Sequence, residues 1–460
     1  MSKCVVIDLG GTCIKVGFGG DPAPQMVAAS PWRALWSFHE QVSVSQWLHI
    51  LGPFLVDVYA SNLMVRPRHF RLFVCEALLC PRAFRTALMY AAFETLGVPE
   101  LYLCPTPVAT LYATGTLTGL IVDIGADETR CLAVVDGQPL FHTLEILQSG
   151  TSSIASEVSR ELSSVSTAHE AAEQVESFGE EAMLQTCYAR SLRHESATSN
   201  DFQLEVTGCA GPLLGGVLVK GHTRQNAADV LFGGGGGYEG CGNVAATTLQ
   251  CLSNCAIDVR RAVSGHVVLV GGGSLVPGMR QRLEQEIRTM VNDSDRHPLA
   301  RCVSESLWIA NSPFPGNILT WVGGSVLSSV EHSVALGISR DAFASATAEA
   351  LAVVPRSPSS LQTENEAAVM QHTQNLLLPD WLALHRDQRL LPFQRTASIE
   401  SVESENNRQW MQDTDGFWSK TIQKNDREST KKQGDGTRSK QKDPQSKEMA
   451  IAGVGIVFGE

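Results

Sequence analysis

Residues 5–20 read VVIDLGGTCIKVGFGG. An apolar run, Val5-Val6-Ile7, delivers a carboxylate at Asp8; Gly10-Gly11-Thr12 makes a small-residue turn, and a second strand-like run, Ile14 to Phe18, carries Lys15. Such a turn exposes backbone N–H groups that can cradle phosphate oxygens. The pattern predicts a β-hairpin built to grip phosphate. It suits an enzyme that transfers phosphate and a protein that only holds a nucleotide equally well.

The arrangement recurs. Leu120-Ile121-Val122 is a second apolar strand ending on a carboxylate, Asp123, followed by Ile124-Gly125-Ala126-Asp127, a further strand Cys131 to Val135 and a turn at Asp136-Gly137. Two such units in one chain imply two lobes of related design, each offering a turn to one phosphate chain between them. A third block, HVVLVGGGSLVPGMRQRLEQEI from His266, runs a strand into Gly271-Gly272-Gly273-Ser274 and then a helix. Alone, that glycine run reads as a tight strand-to-helix crossover. Beside two phosphate-type turns it gains a nucleotide-facing reading.

Between these blocks, apolar spacing predicts a helix over 42–63, a buried strand over 70–75 and an amphipathic helix over 84–96 ending before Gly97 and Pro99. Strands alternating with helices mark an α/β class. At 460 residues the chain exceeds a single core and divides into lobes. Residues 1–113 with 321–390 are assigned to a first lobe and 114–320 to a second, with a polar, low-complexity tail at 391–460. That tail carries nine Lys/Arg and four Asp/Glu between Lys420 and Lys447, which reads first as a solvated segment and only weakly as an import or nucleic-acid element.

A formal charge of −12 argues against a body shaped to bind nucleic acid. The twelve cysteines form no CxxC pair and the histidines are scattered, so reduced thiols and no clustered metal centre are expected. Neither a signal-peptide pattern nor an apolar run of about 18 residues is seen, so no membrane insertion is expected.

These motifs together resemble the actin superfamily. VVIDLGGTCIKVGFGGDPAP is similar to its first phosphate loop, GLIVDIGADETRCLAVVDG with LEILQSG to its second, VVLVGGGSLVPGM to the loop beside the purine, and WVGGSVLSS with residues 337–343 to its C-terminal core. The similarity spans about residues 1–345 in order. It implies an α/β, actin-like two-lobed fold, shared with hexokinase and heat-shock ATPases, with a nucleotide cleft. The chain between Pro24 and Val74 is shorter than in actin, which implies a reduced second subdomain. Gly233 to Gly237 occupy the position of the actin hydrophobic plug, and a glycine run buries little apolar area. A non-polymerising protein is expected.

VRPRHFRLFVCEALLCPRAFR, VPELYL, CAIDVRRAV and LPDW at 378–381 are more narrowly similar to the actin-related subunits at the pointed end of dynactin. That likeness implies a structural cap in the cytoplasm, at the cytoskeleton. Its partners would be the filament's actin-related subunits and the other pointed-end subunits, with dynein engaged indirectly. By the same resemblance the cofactor is ATP or ADP with Mg²⁺. Gly10, Gly11, Thr12 and Lys15 would hold phosphate, Asp8 would hold the metal through water, Asp123, Gly125 and Asp127 would form the second loop, and Gly272, Gly273 and Ser274 would flank the adenosine. Ala126 replaces an acidic residue common in actins, and the polar pair on the nucleoside aligns with Met183 and Leu184. Thr106 and Arg130 stand where actins place a Gln and a His that position the attacking water, so slow or absent hydrolysis is expected. Competing readings are a nuclear actin-related subunit of a chromatin-remodelling complex, suggested by the basic tail, and a sugar kinase of the same fold, for which no acceptor-activating carboxylate is found.

Overall fold

The computed structural model describes residues 3–36, 42–78, 80–165, 179, 182–192, 200–204, 217–234, 242–292, 297–330, 336–353 and 362–377. Gly235–Gly237, the LPDW stretch and the tail lie outside the described residues.

Two sheets organise the chain. In the first, β1 (Cys4–Leu9) is flanked by β2 (Cys13–Phe18), antiparallel, and by β4 (Arg71–Glu76), parallel. With β3 (Met26–Ala29), β5 (Glu100–Pro105) and the late strand Leu336–Ser339, which becomes β13, the order is β13-β5-β4-β1-β2-β3. In the second sheet β6 (Gly119–Ile124) pairs antiparallel with β7 (Thr129–Val135) and parallel with β12 (Val267–Val270). β8 (Gln138–Pro139) and β9 (Glu145–Leu147) extend it along β7, and β10 (Phe202–Leu204) with β11 (Val217–Val219) forms a separate ribbon. The late strand adds to the first sheet at its β5 edge, opposite the edge formed by β3.

Both sheets are covered on each face, as their nearly continuous apolar runs require. Along β1, Val5, Ile7 and Leu9 face a core that includes helices Val44–Asp57 and Arg82–Tyr90. Cys4 and Val6 point the other way, into a layer shared with the second sheet. β6 alternates likewise: Leu120, Val122 and Ile124 join the outer core of the second sheet, and Ile121 joins the shared layer. Helices Thr106–Ala113 and Leu319–Ser329 fill that layer, with Trp321 fully buried and its indole Nε1 donating to the Val6 carbonyl at 3.0 Å.

The helix expected over 42–63 is Val44–Asp57, entered through a Ser43/Gln46 capping box and continued by a π-helical turn, Val58–Asn62. The one expected over 84–96 is Arg82–Tyr90 followed by a π-helical Ala91–Leu96, stopping at Gly97, whose φ of 68° a side chain would resist. Between β3 and β4 the described residues form no strand. Instead Trp32 and Trp47 are fully buried and pack edge-on against Phe84, with ring centroids 5.5 and 5.0 Å away. Beyond Val353, helix Gln362–Leu377 lies against Arg82–Tyr90, where the Thr86 hydroxyl donates to Gln374 Oε1 at 2.7 Å.

Helices Thr106–Ala113 and Leu319–Ser329 approach so closely that a Cβ on Gly323 would strike the Ala109 carbonyl, and one on Gly324 would meet Cys75 Sγ. Gly323→Ala is expected to cost about 3 kcal/mol, the upper end for overpacking because the obstacle is backbone. Val326→Ala, at an exposed position of the same helix, should stay within about 0.5 kcal/mol of wild type; thermal unfolding of the two variants checks both.

Candidate functional site

Antiparallel register sets Asp8 opposite Lys15 across the first hairpin. Asp8 is buried, and Lys15 Nζ donates to its Oδ2 at 3.0 Å. Burial alone would lower the Lys15 pKa, but the Asp8 carboxylate, helped by Cys13 and Asp123, outweighs it and raises the value above the ordinary one. The turn between them is tight. A Cβ on Gly10 would collide with the Cys13 carbonyl, and the Thr12 carbonyl accepts from the Ser30 N–H at 2.8 Å. Gly10, Gly11 and Thr12 are all half-buried.

The second hairpin repeats this design. Asp123 lies opposite Arg130 in the β6–β7 register. Its turn closes with the Gly125 N–H donating to the Glu128 carbonyl at 3.0 Å, and it rests on the start of helix Thr151–Val165, whose Thr151 and Ser152 N–H groups donate to the carbonyls of Gly125 and Ala126 at 3.0 and 2.8 Å. Asp127 is exposed and accepts from the Ser152 hydroxyl at 2.9 Å.

At the third turn Gly271 has φ 83°, and a Cβ there would meet both the Ile124 carbonyl and Asp123 Oδ1. This close approach seats the loop directly on the second hairpin. Gly273 is buried against Ile124, and Gly272 is exposed with open space beside its Cα. The Ser274 hydroxyl donates to the Gly271 carbonyl at 2.6 Å, which commits it to the loop's own closure. Met183 is buried in the second core, whereas its neighbour Leu184 is exposed.

The structure therefore brings Asp8, Lys15, Asp123 and Gly271 together, bonds Asp127 to the start of helix Thr151–Val165 and bonds Ser274 within its own turn. Burial pushes the Asp123 carboxyl above the usual carboxylate range; Arg130 and Lys15 pull it down, and Asp8 and Glu128 push it up. Two carboxylates from separate hairpins sharing one field form an oxygen donor set suited to a hard, hydrated cation, and a small-residue turn from each sheet adds surfaces that anionic oxygens can approach. The residues present thus fit Mg²⁺ with a polyphosphate: Asp8 and Asp123 would hold the metal's waters, and Lys15 with the turns would hold the phosphates.

Thr106 and Arg130, far apart in sequence, line one small cavity of about 10 Å³ with Asp123, Thr110, Thr320 and Leu78, room for about one water. Arg130 Nε donates to Glu128 Oε1 at 2.7 Å, with Nη2 on the same oxygen, and Nη1 donates to the Leu78 carbonyl at 3.0 Å. Sequence reasoning missed Glu128 and Leu78. The position of Glu128, two residues before Arg130 at the close of the same turn, was a usable signal, whereas the backbone carbonyl of Leu78, just past the end of β4, leaves no mark in the sequence.

Two sheets, a helix pair between them and a paired-hairpin cleft define the class of two-lobed proteins built around a nucleotide cleft. The actin family model matches residues 50–204 and 222–353, more than half of the chain, and the chain belongs to the actin family. It is 23% identical over 345 residues to Actin-related protein 10 of Dictyostelium discoideum, covering 66% of this chain and 72% of that protein. No helix among the described residues is long and apolar enough to cross a membrane.

Because the folded state raises the pKa of Asp123, its ionisation opposes folding: the cost is absent below the unfolded value, near 3.8, and grows as pH rises through the folded value. Asp123→Asn should therefore raise the melting temperature of nucleotide-free protein at pH 7. The advantage should shrink towards pH 4, as melting curves across that range would show.

Proposed function

We propose that this chain is a structural, non-polymerising actin-related protein that closes the pointed end of the dynactin filament and so supports dynein-driven transport along microtubules. It would act in the cytoplasm, at the cytoskeleton. Its partners are the filament's actin-related protomers and the other pointed-end subunits, with dynein reached through the complex. The cleft holds ATP or ADP with Mg²⁺ through Asp8, Lys15, Asp123 and the three turns, Gly272 and Gly273 lying beside the nucleoside, with slow or no turnover. The two lobes, 1–113 with 321–390 and 114–320, meet at the helix pair Thr106–Ala113 and Leu319–Ser329.

The observation that carries this reading is the stretch between β3 and β4. Its described residues hold no strand, and it is closed by the Trp32, Trp47 and Phe84 cluster. An end protomer must offer one polymer-competent face and withhold the other, and removing the segment that grips the next protomer does this directly. Slow turnover follows from Thr106 and Arg130. A threonine hydroxyl is shorter than a glutamine amide, and a guanidinium keeps its proton and cannot act as a base.

Affinity purification of the full chain tests the assignment: dynactin subunits are the expected companions, and recovery of remodelling-complex subunits instead would overturn it. In a single-turnover assay with Mg²⁺ and ATP, phosphate release should be far slower than in polymerising actin, and release at a comparable rate would remove the structural-nucleotide reading. Lys15→Ala should weaken ATP binding at least 10-fold in a titration followed by thermal shift, as expected for loss of a charge-assisted contact worth about 1.5–3 kcal/mol.

A further inference from the structure

Arg130 is the counterpart of Lys15. Each follows its hairpin's carboxylate at the same spacing and faces it across the antiparallel pair. The two cations are used differently. Lys15 bonds to Asp8 within its own hairpin. Arg130, which lines one cavity with Asp123, bonds instead to Glu128, which orients it, and passes its remaining nitrogen to the Leu78 carbonyl. Leu78 is buried just past the end of β4, in the first sheet, whereas Arg130 stands on β7 in the second. The bond therefore joins the two lobes beside the cavity shared by Thr106 and Asp123. Glu128 is itself steadied by Gln148 Nε2 at 3.5 Å, so the planar fork is held in one orientation.

We propose that Arg130 is an inter-lobe bolt: its bond to Leu78 holds the lobes closed beside the phosphate turns, so that a bound nucleoside polyphosphate leaves only when the bond breaks. The proposal rests on the nucleotide reading above and adds to it a positioning residue that controls exchange. Lysine cannot replace it, because an ammonium has no fork to engage Glu128 and Leu78 together in this geometry.

The test uses the full chain loaded with a fluorescent N-methylanthraniloyl ATP and Mg²⁺, then chased with excess unlabelled ATP. Arg130→Ala should release the probe at least 10-fold faster than wild type. Arg130→Lys, which keeps the charge, should also release it faster, though less so. Equal release from all three proteins overturns the bolt. Should Arg130→Ala fail to give a cooperative melt, Arg130→Lys alone decides by the same criterion. Hydrogen exchange on nucleotide-free protein separates this idea from the nucleotide reading: the variants should lose protection over 76–80. If wild type retains no probe, the nucleotide reading fails, and unchanged protection over 76–80 in the variants then overturns the bolt as well.

Discussion

The two sheets are kept at one spacing by a helix crossing in which Gly323 touches the backbone at Ala109 and Gly324 touches Cys75. No side chain intervenes, so the layer between the sheets is close to as thin as two helices allow. Trp321 locks the crossing to β1 through the Val6 carbonyl, and its ring lies where a Cβ on Gly17 would need to be. Because β1 leads straight into Asp8 and β6 into Asp123, the helix separation also sets the distance between the two carboxylates. A thicker layer would part the hairpins and leave two unrelated turns in place of a cleft.

Given that spacing, the charges explain why the cleft is poised for a ligand. Asp8 is neutralised within its own hairpin by Lys15. Asp123 faces Arg130 in register, yet the guanidinium is bonded to Glu128 and to Leu78, so Asp123 feels it only at longer range and retains a raised pKa. One carboxylate is thus satisfied and the other held at a cost, beside two glycine turns. A bound cation would remove that cost, which gives the site a reason to prefer the loaded state that neither hairpin has alone.

Much of this was legible in the sequence because it is local. A strand ending on Asp, a small-residue turn and a returning strand with a cation are contiguous, and burial of both faces of β1 and β6 follows from the apolar runs themselves. The glycine run from Gly271 read as a tight crossover, and the structure gives the reason for glycine there, since the positive φ of Gly271 and its contact with Asp123 both exclude a Cβ. What the sequence hid is how side chains choose among partners. Asp127, expected in the second loop, also accepts from the Ser152 hydroxyl, and Ser274, expected beside the adenosine, also donates to the Gly271 carbonyl; neither bond is visible in the sequence. Short polar side chains beside a turn reach local backbone or hydroxyl groups first. The π-helical ends of two helices and the Leu78 contact depend on tertiary packing, which periodicity does not encode.

The aromatic closure between β3 and β4 and the Arg130 bridge act in the same direction. Trp32, Trp47 and Phe84 fix the shortened segment in the first core, where each buried aromatic side chain removes roughly 150–250 Å² from water. That burial anchors the described residues of the segment to the first core. Arg130 favours a closed cleft in the same way. In this chain the bridge from Arg130 to Leu78 and the packed aromatic cluster each tie a segment near the first sheet to a fixed partner.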